Sequence, residues 1–182
     1  MPVTLGTVIA YHNQLIEMGE NVTENLRITH LASVPDVVPT LVRLFIEEWE
    51  PYYGHEGPGN AEHDLRECLN RCELPLALVA LDADRNVVGT VALRSECFGE
   101  QEGEGPWLRA LVVPKTHRGH GIGTLLTASI ENEARRRGFP AIYTTTDGAE
   151  GIVRRRGWQP LRSAMSLRGV CTVYKQDLRK GD

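Results

Sequence analysis

A mixed α/β (α+β) sheet with helices on both faces is the architecture this chain predicts, and three observations carry it. Short apolar runs of strand length alternate with longer stretches whose apolar residues recur at helical spacing. Two of the runs, Leu76 to Leu81 and Val87 to Leu93, are joined by Asp82-Ala83-Asp84-Arg85-Asn86, the composition of a hairpin connection. A further run, Trp107 to Val113, feeds a glycine-rich turn that opens an amphipathic stretch, which reads as strand, turn and helix.

Taken in order, residues 1–24 show weak periodicity and read as an N-terminal extension, and residues 25–182 as one domain. Leu26 to Ala32 alternates as a strand. Ser33 and Pro35 then open a helix with Val38, Leu41, Val42, Phe45 and Trp49 on one face, which Pro51 is expected to stop. A turn-rich loop to Gly59 and a short helix over Glu62 to Arg71 lead into the hairpin. After the third strand, Ile122, Leu125, Leu126, Ile130 and Ala134 mark a helix ended by three arginines and Gly138, where cations and a glycine cap both belong. Ala141 to Thr146 is a strand, Asp147 and Glu150 are the expected capping box of a short helix ended by Gly157, and strands near Trp158 to Ser163 and Val170 to Gln176 close the chain.

The composition narrows the function classes. With 182 residues the chain has material for one core, and no run approaches the roughly 18 apolar residues of a membrane span. A net charge of −4 argues against a dedicated nucleic-acid binder, which needs clustered excess cation. We therefore expect a soluble, cytoplasmic protein without nucleic-acid or membrane partners. Cys68, Cys72, Cys97 and Cys171 lack a zinc spacing and read as reduced thiols, and no metal is expected. Glu96, Glu100, Glu102 and Glu104 share one connection, and Glu47, Glu48, Glu50 and Glu56 cluster earlier; if they line a site, they favour an amine acceptor.

Chemistry concentrates in Leu111-Val112-Val113-Pro114-Lys115-Thr116-His117-Arg118-Gly119-His120-Gly121-Ile122-Gly123-Thr124. Unpaired N–H groups at the start of a helix converge on an anion, the helix dipole adds partial positive charge, and glycines admit the ligand close to the backbone. The dinucleotide fingerprint fails, because its third glycine would fall on Thr124, and there is no Gly-Lys-Ser/Thr of a triphosphate loop. Arg118-x-x-Gly121-x-Gly123 does fit, directly after a strand.

In this motif, and in the register of Ala149 and Ile152 before Arg156-Gly157-Trp158, the sequence resembles the GNAT superfamily of acetyl-CoA-dependent N-acetyltransferases over roughly residues 26–177. The resemblance implies the GNAT fold, a mostly antiparallel central sheet of six to seven strands. It implies acetyl-CoA as acyl donor, with Leu111, Val112 and Val113 pairing with the pantetheine arm. Arg118, Gly119, His120, Gly121, Ile122, Gly123 and Thr124 would cradle the pyrophosphate, and Thr146 would stand where the family's asparagine touches pantetheine. The Leu111 N–H would polarise the thioester carbonyl. The acceptor it implies is a primary amine, attacking directly in a ternary complex. A small cationic amine is favoured by the acidic loops, and a protein amine stays open. Homodimers are frequent among the proteins it resembles.

Two family positions are departures. Trp107 stands where a proton-relaying carboxylate is usual, and Val153 where a tyrosine protonates the leaving thiolate. An amine of pKa about 10.4 is neutral in only about one molecule in 2,500 at pH 7, so proton removal is worth roughly 4 to 5 kcal/mol. Glu96 and then Glu104 are the candidate bases. A non-catalytic acyl-CoA sensor is the alternative, and a kinase or dehydrogenase is disfavoured by the failed spacings.

Overall fold

The computed structural model describes residues 25–97, 99–166 and 169–179, so the expected extension over 1–24 lies outside the described residues. Seven strands form one sheet in the order β1-β2-β3-β4-β5-β7-β6: β1 Arg27–His30, β2 Leu76–Leu81, β3 Val87–Arg94, β4 Trp107–Val112, β5 Ala141–Thr146, β6 Gln159–Ser166 and β7 Gly169–Asp177. All neighbours are antiparallel except β4 and β5. Helices α1 Val38–Glu48, α2 Glu50–Tyr53 and α3 Ala61–Glu67 precede the hairpin; α4 Ile122–Arg136 crosses between β4 and β5, and α5 Glu150–Arg155 follows β5.

Strand alternation sends alternate residues to opposite faces, and both faces are apolar. Leu76, Leu78, Ala80, Val91 and Leu93 pack with Ile122, Leu126, Ile130 and Ala134 of α4. On the other face Ala77, Val79, Leu81 and Ala92 pack with Leu41 and Phe45 of α1 and Leu65 of α3. The helices predicted from periodicity thus cover the sheet on both sides.

Three local expectations are corrected. Pro51 does not simply stop a helix; it sits in the first turn of α2, where a missing N–H leaves no broken bond, and Gly54 closes that turn. The Asp147/Glu150 capping box is not formed: Ala149 is the N-cap of α5 without a side-chain cap bond, and Thr146 Oγ1 instead accepts the N–H groups of Gly148 and Ala149 at 3.2 and 2.8 Å. The helix expected over Glu62 to Arg71 ends at Glu67, and it starts on Asn60, whose Oδ1 accepts the His63 N–H at 3.0 Å.

The sheet departs from regularity at one place, and it is the place that matters. β4 and β5 share a single ladder pair, Trp107 with Tyr143. The Tyr143 N–H reaches the Pro106 carbonyl and Thr144 Oγ1 donates to the Leu108 carbonyl, each at 2.9 Å; beyond Leu108 no ladder pair joins the strands. On its other side β4 carries a bulge: Ala92 pairs with Arg109 and Thr90 with Val112, and Ala110 lies at φ +51°.

Candidate active site

The parted strands open onto a cavity of about 660 Å³. Leu111, Val112, Val113, Arg118, Gly119, Gly123 and Thr146 line it, together with Thr144, Thr145, Gly148 and Ile152. Seven of the residues expected to hold a cofactor are therefore brought together. His120, Gly121, Ile122 and Thr124 are not among its lining; Ile122 is buried in the core against Leu126, and His120 is exposed with Nδ1 3.4 Å from the His117 carbonyl.

The turn has the backbone that its glycines permit. Gly119 and Gly121 adopt φ of +82° and +80°, and Gly121 is the N-cap of α4 with no side-chain cap, so the first N–H groups of that helix have no side-chain acceptor at the cap. A Cβ on Gly119 would meet nothing within 4 Å, whereas one on Gly123 would fall 2.8 Å from Ile152 Cδ1. One glycine leaves room beside the backbone; the other lets α4 and α5 approach. A capless N-terminus on a 15-residue helix, an open glycine beside it, and β4 backbone without a β5 partner fit a diphosphate followed by an amide-bearing arm.

Arg118 was expected to reach a phosphate directly. Its guanidinium is already engaged: Nε donates to the Val113 carbonyl at 2.9 Å and Nη2 to Glu48 Oε2 at 2.6 Å. It therefore ties the turn to the C-terminal end of α1, and any phosphate contact has to share it with Glu48.

The expected acid–base groups fare differently. Glu104 is held by both Arg162 guanidinium nitrogens at 2.7 Å and accepts the Gln101 N–H at 3.0 Å. Burial pushes its carboxyl up, but the Arg162 and Gln101 hydrogen bonds more than offset this and leave it below the usual carboxylate range. Neither Glu104 nor Glu96 lines the cavity, although Cys97 beside Glu96 does. Glu100 accepts the Cys97 N–H at 2.9 Å, so two of the connection's four carboxylates, Glu100 and Glu104, are engaged within the protein. Trp107 is fully buried and stacks on Tyr143 at 5.4 Å, and Val153 is 1% exposed; neither family position offers a proton.

Beyond the parted strands, the cavity's other end is walled by Trp49, Tyr52, Tyr53 and Asp64 and floored by Arg94, Arg109 and Cys68. Tyr53 donates to Asp64 Oδ2 at 2.7 Å; burial, then that bond, holds its hydroxyl above the ordinary tyrosine range. Burial likewise pushes the Cys68 thiol up to about 11, so it is a poor nucleophile at neutral pH. Asp64, Arg94 and Arg109 were not singled out from the sequence. An arginine inside the apolar run Trp107 to Val113 was the available signal.

A family model, the acetyltransferase (GNAT) family, matches residues 39–155. The chain belongs to the GNAT family. Among solved structures this GNAT chain is similar to an aminoglycoside 6'-acetyltransferase type Ii, with TM-score 0.67 and 22% identity over 84% of this chain and 97% of that one. An aminoglycoside 6'-N-acetyltransferase complexed with coenzyme A gives TM-score 0.67 and 18% identity over the same shares, 84% and 97%. The aminoglycoside 6'-N-acetyltransferase from Enterococcus faecium gives 0.65 and 19%, again over 84% and 97%. At these identities the likeness concerns the fold, a mixed and mostly antiparallel open sheet, as the sequence predicted. No curated protein matches.

Proposed function

We propose that this GNAT chain is an N-acetyltransferase that moves an acetyl group from acetyl-CoA to a primary amine by direct attack in a ternary complex. The observation that carries the reading is the meeting, in one cavity, of the unpaired side of β4 with the glycine turn that starts α4. Acetyl-CoA would supply an activated thioester, whose C–S bond is replaced by an N–C bond as the amine loses a proton. The turn from Arg118 to Gly123 would hold the diphosphate, and Leu111 to Val113 and Thr146 the amide-bearing arm. The bulge at Ala110 gives Leu111 a peptide orientation separate from the ladder with β3, which suits its N–H to the thioester oxygen.

For proton removal Glu104 is set aside, because Arg162 already holds it ionised. Glu96, next to cavity-lining Cys97, is the base to test. Glu96→Gln should lower kcat/KM at pH 7 by about 100-fold while leaving the Kd for acetyl-CoA unchanged; an unaltered rate would assign the proton to water. With Val153 in place of a phenol, the thiolate leaves unaided, tolerable for a thiol of pKa about 8.5.

Buried Trp107 and Val153 favour a second reading, acyl-CoA binding without transfer. Thiol release from acetyl-CoA across a panel of amines decides between them. Amine-dependent release supports transfer, whereas tight binding of acetyl-CoA without release supports the second reading.

A further inference from the structure

We infer that the acceptor amine carries an apolar, ring-bearing body, as in an arylalkylamine, held against Trp49, Tyr52 and Tyr53; this rests on the acetyl-transfer reading above. Local structure brings the three rings to one wall. Trp49 caps the end of α1, and Pro51 is tolerated in the first turn of α2, so Tyr52 and Tyr53 follow Trp49 within one further turn. Phe45, 3% exposed, supports them: its ring meets Trp49 edge to face at 5.0 Å and Tyr53 at 5.6 Å. Tyr53 in turn meets Tyr52 at 4.7 Å and Trp49 at 6.3 Å, both edge to face. Gly59 donates its N–H to the Tyr52 carbonyl at 2.8 Å and passes so close that a Cβ there would fall 2.4 Å from Tyr52 Cε1. The wall is therefore built before any ligand enters.

The charged groups lining this end are engaged, both signs alike. Asp64 accepts the Tyr53 hydroxyl at 2.7 Å, Glu48 holds Arg118 at 2.6 Å, Arg94 holds Glu67 at 2.7 Å, and Arg109 has a partner of its own. Three carboxylates, Glu48, Asp64 and Glu67, thus stand among three guanidinium groups, Arg94, Arg109 and Arg118, which leaves neither sign in excess to select a polycation or an anion. Ion pairs use up their partners, whereas apolar surface facing a cavity stays available to whatever enters. Trp49, Tyr52 and Tyr53 are each half-buried and line the cavity, and with its hydroxyl committed Tyr53 offers its ring. Ala77 and Ala92, also in the lining, are small, and their neighbours Leu65 and Cys68 are buried and apolar, which gives depth for a planar body. This end selects by apolar area and shape.

The test compares primary amines that differ in body: 3-phenylpropylamine, propylamine, cadaverine and 4-aminobutyrate, each assayed by thiol release from acetyl-CoA. The ring-bearing amine should exceed each of the others in kcat/KM by about tenfold or more, as burial of a phenyl group contributes. Tyr52→Ala should bring its ratio to propylamine toward one through acceptor KM, with the Kd for coenzyme A unchanged, and Tyr52→Phe should keep the ratio. Trp49→Leu should act in the same direction, and it carries the test if Tyr52→Ala does not fold. A higher kcat/KM for cadaverine or 4-aminobutyrate, level rates across the four, or a ratio unmoved when either ring is removed overturns the inference. Should no amine release thiol, transfer itself fails. Calorimetric titration of the coenzyme A-saturated protein with the same four then decides: tighter binding of 3-phenylpropylamine upholds the aromatic site, and equal or weaker binding removes it.

Discussion

At the scale of single residues, the glycine turn separates two effects that a motif reads as one. Gly119 faces open space, so Gly119→Ala should cost only the left-handed backbone strain, about 1 to 2 kcal/mol of stability, while the added methyl intrudes where a diphosphate would lie. Titration with coenzyme A should show affinity falling by more than the loss of stability accounts for. Glu104 belongs to the other kind of residue. Its carboxyl is depressed when folded, so its contribution to stability is complete above the unfolded value near 4.3 and is lost as pH falls through the folded value. Glu104→Gln should therefore destabilise by about 1 to 2 kcal/mol at pH 7, and chemical denaturation at pH 3 should show a smaller difference. The turn at Gly119 was legible because glycine spacing reports backbone geometry directly. The engagement of Glu104 was not, because no spacing reveals Arg162, 58 residues away in the chain.

Among elements, α4 is the hub, and its buried acids show how. Glu131, 3% exposed, accepts two bonds from Arg156 and one from Trp158 Nε1 at 2.8 Å, fastening α4 to the end of α5 and the start of β6. Removing it strands a partly buried guanidinium and a buried indole N–H, and Glu131→Ala should cost about 3 to 5 kcal/mol, visible as a large drop in Tm. Glu133 plays a similar part toward Arg136 and Arg137, and Arg137 also donates to the Arg71 and Cys72 carbonyls at 2.6 and 2.8 Å. The arginine triplet is thus structural, as helix-end electrostatics suggested. Helix and strand existence was legible because apolar period survives any packing. The starts and stops at Pro51, Asp147 and Glu67 were not, since capping depends on which neighbour is nearest in space.

For the molecule as a whole, the parted strands make ligand and fold interdependent. Coenzyme A binding to the native state alone should stabilise it by about 2.7 kcal/mol at one hundred times its Kd, with Tm rising logarithmically with concentration. A Tm independent of coenzyme A would remove the cofactor assignment. The order of strands and helices along the chain followed from the sequence. Arg94, Arg109 and Asp64, which line the cavity's other end, come from three separate elements, so no spacing in the sequence brings them together. The single Trp107–Tyr143 rung has one more effect. On either side of it stand consecutive stretches of polypeptide, 27–112 and 141–177, so the seam parts an earlier-made portion of the chain from a later one. A molecule lodged there would work as a stitch between the two portions, completing a weave that the backbone alone leaves unfinished.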